Sequence, residues 1–119
     1  RVIAEKKKAD NILLATYTNV IEIERARDER LKAIDSSITL ANKQSETIQQ
    51  DLDKRIQAAA TAERSGKAPN DALLADIEEL QRQVANKRSY ISARKKEKEE
   101  TNAEYAANIQ RFKELKGLL

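Results

Sequence analysis

The chain has 119 residues, of which 36% are charged, 39% apolar and only 3% aromatic, with two glycines, one proline and no cysteine or histidine. Basic residues outnumber acidic ones by 23 to 20, a net charge of +3 that is mild and spread along the chain rather than gathered into the concentrated basic face of a nucleic-acid binder. The missing residue types exclude disulfides, thiolate metal sites, the commonest general base and the thiolate nucleophile, and no apolar run approaches the roughly 20 residues that cross a bilayer.

Residues 1–13 carry Val2, Ile3, Ile12 and Leu13 around the run Lys6-Lys7-Lys8. They read as an overhang: either a docking segment or a charged linker leading back to an upstream domain, the linker being favoured. No signal peptide is visible, and a first residue of Arg1 is compatible with a processed form or with a piece of something longer. Next, Thr16-Tyr17-Thr18-Asn19 is poor helix sequence. Asn19 followed three residues later by Glu22 has the form of a capping box, so Thr16–Asn19 is a candidate kink or break.

A long first helix, about 3–64, is expected from the stripe Leu31, Ile34, Ile38, Ala41, Ser45, Ile48, Leu52 and Ala59. Upstream the stripe continues through Ile23, Val20, Tyr17 and Leu13 with some drift in register. Residues 65–70 are a turn: Arg64-Ser65-Gly66 ends one helix, and Pro69-Asn70-Asp71 begins the next. The second helix, about 71–116, shows Leu73, Ile77, Leu80, Val84, Ile91, Tyr105, Phe112, Leu115 and Leu119 on alternating three- and four-residue steps, the a/d spacing of a coiled coil. Asn70 is a good N-cap, Asp71, Asp76, Glu78 and Glu79 suit the positive end of the helix dipole, and Gly117 can terminate the helix. Between Val84 and Tyr105 the stripe turns polar, with Lys87, Arg94, Lys98 and Thr101 at inward positions.

So short a turn makes the helices antiparallel neighbours, and residues equidistant from it face one another. Asp35 then meets Lys98, Glu24 meets Arg111, and the Ile21/Ile23 region meets Phe112, while residues 1–13 project past the end of the second helix. The expected fold is all-α: a single long antiparallel two-helix coiled-coil hairpin. Burying one Leu or Ile contributes roughly 1.5–3 kcal/mol, against about 1–2 kcal/mol of backbone entropy for every residue ordered. A two-helix seam is therefore marginal alone, and a protein partner or self-association is expected, with a dimer closing as a four-helix bundle.

Site chemistry is sparse. Gly66 and Gly117 are isolated and form no phosphate-cradling loop, and carboxylate pairs such as Glu22/Glu24 and Glu99/Glu100 read as solvated helix faces. No cofactor, metal or small-molecule substrate is expected, and no enzymatic activity. The basic clusters Lys6–Lys8 and Arg94–Lys98 could meet an anionic membrane or nucleic acid, but interleaved acids cancel much of their field beyond a Debye length of about 8 Å. Tyr17, Tyr90, Tyr105 and Phe112 are too dispersed for a base-stacking platform.

The stretch from Leu13 to Leu31, LLATYTNVIEIERARDERL, resembles the C-terminal helical region of uncharacterised envelope proteins of Gram-negative bacteria. The segments Gly66–Pro69, Leu74-Ala75-Asp76-Ile77 and Asn108–Leu115 are similar too. Such proteins carry a secretion signal and a small N-terminal domain of unknown function, then a charged linker running into a helical hairpin. The resemblance implies a periplasmic or envelope-associated location and brings no activity and no site residues. The expected function is a structural or interaction module: scaffold, spacer or assembly element.

Overall fold

The computed structural model describes all 119 residues. It is all-α, with three helices and no strand: α1 (Val2–Thr16), α2 (Val20–Arg64) and α3 (Asp71–Leu115). No helix is long and apolar enough to cross a membrane.

The expected first helix of about 3–64 is interrupted at the marked stretch. Local polar groups outcompete the helical ladder there. Thr16 Oγ1 donates to Ile12 O at 2.6 Å, and Tyr17 turns extended at φ −121°, ψ 141° while its N–H still reaches Leu13 O. Asn19 then restarts the helix: its Oδ1 accepts from the Glu22 N–H at 3.0 Å. The Glu22 carboxylate reaches back to the Thr18 N–H at 3.3 Å, closing a capping box one residue wider than usual.

Both long helices close on glycine in the left-handed region, Gly66 at φ 74° and Gly117 at φ 65°. Each builds the same C-cap. The Lys67 N–H donates to Ala62 O and the Gly66 N–H to Glu63 O; the Leu118 N–H donates to Lys113 O and the Gly117 N–H to Glu114 O. This doubly bonded Schellman cap satisfies carbonyls that the last turn would otherwise leave open. Asn70 opens α3, its Oδ1 accepting the Leu73 N–H at 2.7 Å.

The contacts divide the chain into two compact units, residues 36–95 (the turn unit) and residues 1–35 with 96–119 (the terminal unit). In the turn unit three cross-helix hydrogen bonds fix direction and register: Arg55 to Asp76 at 3.2 Å, Lys87 to Gln44 at 2.6 Å and Arg94 to Ser37 at 2.9 Å. From one pair to the next, α2 retreats by as many residues as α3 advances, which is antiparallel alignment without slippage. Ala41, Leu52 and Val84 are buried between the two segments.

The terminal unit is built differently. Leu13 of α1, Ile23 of α2 and Phe112 of α3 form one buried cluster, with Leu14, Tyr17, Val20, Tyr105, Ile109 and Leu115 packed against it. The expected overhang of residues 1–13 is thus corrected. Asp10 is already half-buried and Leu13 is core, while residues 1–9 are all exposed. Leu119, expected on the α3 stripe, lies beyond the helix and is 72% exposed, because Gly117 ends the helix first.

Candidate interaction surfaces

The inward stripe of the turn unit combines apolar and polar side chains. Leu52 and Val84 are buried, while Ile38, Ile48, Ile77, Leu80 and Ile91 are half-buried, as two packed helices allow. Lys87 and Arg94 stand at inward positions and are half-buried; Lys87 donates to Gln44 and Arg94 to Ser37. Long cationic side chains of this kind lay their alkyl stems along apolar surface and carry their heads to a polar partner.

In the terminal unit Ile34 and Phe112 are almost fully buried, and Leu31, Tyr105 and Leu115 half-buried. Lys98 Nζ lies 2.8 Å from Asp35 Oδ1, the pair that equal distance from the turn brings together. Nearby, Arg30 meets Glu97, the residue before Lys98, at 2.6 Å. Thr101 is buried at 7% exposure, and no buried side-chain nitrogen or oxygen lacks a hydrogen-bond partner.

The pairing expected between Glu24 and Arg111 is replaced. Arg111 Nε and Nη2 donate to the two carboxylate oxygens of Asp10 at 2.9 and 2.7 Å, and Nη1 donates to Glu114 at 2.9 Å. The expectation counted two helices. The break at Tyr17 brings a third alongside α3, and a planar guanidinium takes the carboxylate that offers it two parallel bonds. The Arg111 hydrogen bonds hold the Asp10 carboxyl below its ordinary value, and bonds to Asp10 and then Glu114 raise Arg111 further. Farther along, Tyr17 faces Tyr105. Burial first, then Tyr105, pushes the Tyr17 hydroxyl above its usual range. Contacts therefore advance along α1 from Asp10 to Tyr17 while receding along α3 from Arg111 to Tyr105, so these stretches run antiparallel.

Ile23 and Phe112 share one cluster, as equal distance from the turn leads one to expect, but Leu13 of a third helix beside them and Asp10 on Arg111 were not expected. The signal was the drift in register. Counted back from Leu31 in alternating four- and three-residue steps, the stripe passes through positions 27, 24 and 20, and reaching Ile23 takes two four-residue steps in a row, which turns it toward the flank. Yet Ile23 is 0% exposed. An isoleucine off the seam calls for a second cover, and α1 supplies it.

The basic clusters do not form one face. Lys6, Lys7 and Lys8 are exposed, whereas in Arg94–Lys98 the two ends turn inward and Lys95 and Lys96 outward. Large apolar side chains do reach the surface. Ile56 and Leu74 lie on either side of the turn at nearly equal distance from it, 43% and 45% exposed, and Ile12 and Ile21 in the terminal unit are 57% and 58% exposed. Comparison with known proteins returns no counterpart for this arrangement: no family model matches the chain, and neither a curated protein nor a solved structure does.

Proposed function

We propose that the chain is a non-catalytic coiled-coil module, serving as scaffold, spacer or assembly element and working by protein–protein contact. The observation that carries this reading is the registered inward stripe: apolar three- and four-residue spacing on both helices, with Lys87–Gln44, Arg94–Ser37 and Lys98–Asp35 set into it. Polar pairs inside a seam cost stability relative to apolar ones and specify alignment in return, which suits a part whose task is to hold a fixed geometry. The resemblance of residues 13–31 to envelope proteins points to the bacterial envelope as its setting.

Assembly needs apolar surface outside the seam. Ile56 and Leu74, 43% and 45% exposed near the turn, meet this need, and two copies joined there would complete a four-helix bundle. The test is mass in solution by sedimentation across a wide concentration range. The wild-type chain is expected to dimerise, and the double variant Ile56→Lys with Leu74→Lys to sediment as a monomer with unchanged helicity. A stably folded wild-type chain that stays monomeric at every concentration would remove self-association, and failure to recover any protein partner by cross-linking in envelope fractions would remove the interaction reading.

A further inference from the structure

We propose that α1 is a displaceable cover and that the surface beneath it, centred on Ile23, Arg111 and Phe112, receives an amphipathic helix of a partner protein carrying an acidic residue three positions ahead of a leucine. The inference deepens the interaction reading above and rests on it, naming the partner's chemistry.

Three features make α1 a cover rather than a pillar. Of its fifteen residues Leu13 alone is buried, and a helix of that length is marginal by itself in water. Its docked state therefore sits at the low end of local stability. Next, α2 does not depend on α1 for its start, because Asn19 and Glu22 cap it from within. Finally, parts of the surface are held by α2 and α3 themselves: Arg111 Nη1 donates to Glu114 at 2.9 Å within α3, and Ile23 and Phe112 of the buried cluster belong to α2 and α3.

What α1 places on this surface defines what a replacement must carry. Asp10 engages Arg111 through both oxygens, and Leu13 fills the cluster with Ile23 and Phe112. These two residues are three apart, hence on one helical face. The α1 helix thus acts as a built-in mimic of the partner. Its hold is narrow, since Val2 and Ile3 remain 66% and 81% exposed, and a partner helix with more apolar contacts would outcompete it.

The probe is a fluorescent, hydrocarbon-stapled peptide with the sequence of Val2–Thr16, added to the full chain and followed by anisotropy. Weakening the internal cover raises the fraction of competent chains, so Leu13→Ala is expected to bind the peptide about tenfold more tightly than wild type. A peptide carrying Asp10→Lys is expected to lose about tenfold. Circular dichroism checks the fold, and Asp10→Asn serves in place of Leu13→Ala if that variant loses helicity. In the wild-type chain, amides of Asn11–Thr16 are expected to exchange about a hundredfold faster than those around Ile34. Equal peptide binding by wild type and both weakened variants would overturn the proposal, as would equal binding of the Asp10→Lys peptide or equal amide protection of α1 and Ile34. A wild-type dimer abolished by Arg111→Ala would assign the surface to a second copy and overturn it too. None of these readouts involves Ile56 or Leu74, so loss of this proposal and loss of self-association through the turn unit are separate results.

Discussion

Arg94 and Phe112 both occupy inward positions of α3, in surroundings that share almost nothing. Around Arg94, in the turn unit, two helical segments meet, its Nε donates to the hydroxyl of Ser37, and the arginine is only half-buried. Around Phe112, in the terminal unit, α1 joins α2 and α3, and the ring is 1% exposed beside Ile23 and Leu13. Two helices can pinch a narrow stripe, but water reaches it from both flanks. A third helix closes one flank and turns a stripe into a core. The difference explains why the one aromatic ring that is fully covered lies where three segments converge. Lys116 adds to its cover, with Nζ 5.7 Å from the ring centroid.

The comparison is broken most forcefully by removing the ring. Phe112→Ala is expected to cost about 3–5 kcal/mol, read by urea denaturation, with hydrogen exchange showing terminal-unit amides losing protection before those of the turn unit. Simultaneous loss in both units would mean that they unfold as one. Ile23→Ala should cost about 2–5 kcal/mol, whereas Ile21→Ala, two residues earlier and 58% exposed, should stay within about 0.5 kcal/mol of wild type. Equal effects at the two isoleucines would deny α1 its role as a cover.

These contrasts also mark how far the residues themselves lead. The all-α class, the turn at Ser65–Asn70 and the facing of Asp35 and Lys98 were legible, because periodicity and turn chemistry are local and a short loop leaves only one direction of return. The break at Tyr17 was legible as a possibility through Asn19 and Glu22. Its consequence was not. Whether α1 runs on as an overhang or lies against α3 depends on Leu13, Tyr17 and Asp10 finding Phe112, Tyr105 and Arg111, residues about a hundred positions distant, and spacing within one helix carries no information about a third. Hence Arg111 was matched to Glu24 by position when geometry offered it Asp10.

Smaller effects sharpen the account of how the helices end. No atom lies within 4 Å of where a Cβ on Gly66 would sit, so Gly66→Ala meets no clash and pays only for its positive φ, about 1–2 kcal/mol. Gly117→Ala carries the same backbone strain at φ 65°, but the chain relieves it by fraying its last turn, so a loss of a few helical residues by circular dichroism is expected in place of a clear fall in melting temperature. Asn70→Ala removes the cap on Leu73 and should cost about 1 kcal/mol. A larger loss at Gly117 than at Gly66 would show that the final turn anchors the terminal unit more firmly than Leu115 and Phe112 suggest.

The gentlest probe of the comparison is pH, because it perturbs α1 without altering a side chain. Asp10 titrates below its ordinary 3.8 when α1 is docked. Its contribution is therefore complete above that value and disappears as pH falls through the depressed one. Tyr17 titrates above its ordinary 10.0, so its contribution is complete below 10.0 and disappears as pH rises through the elevated value. Docking of α1 is thus expected to hold across the neutral range and to weaken at both extremes. Leu13 methyl resonances, shifted by the nearby ring of Phe112, would report it, with Leu52 methyls as the reference in the turn unit. Asp10→Asn should abolish the acid limb and leave the alkaline one, and Tyr17→Phe should do the reverse. If the Leu13 and Leu52 signals move together through both limbs, α1 is no separate element, and the third helix is as integral to its unit as the turn is to the other.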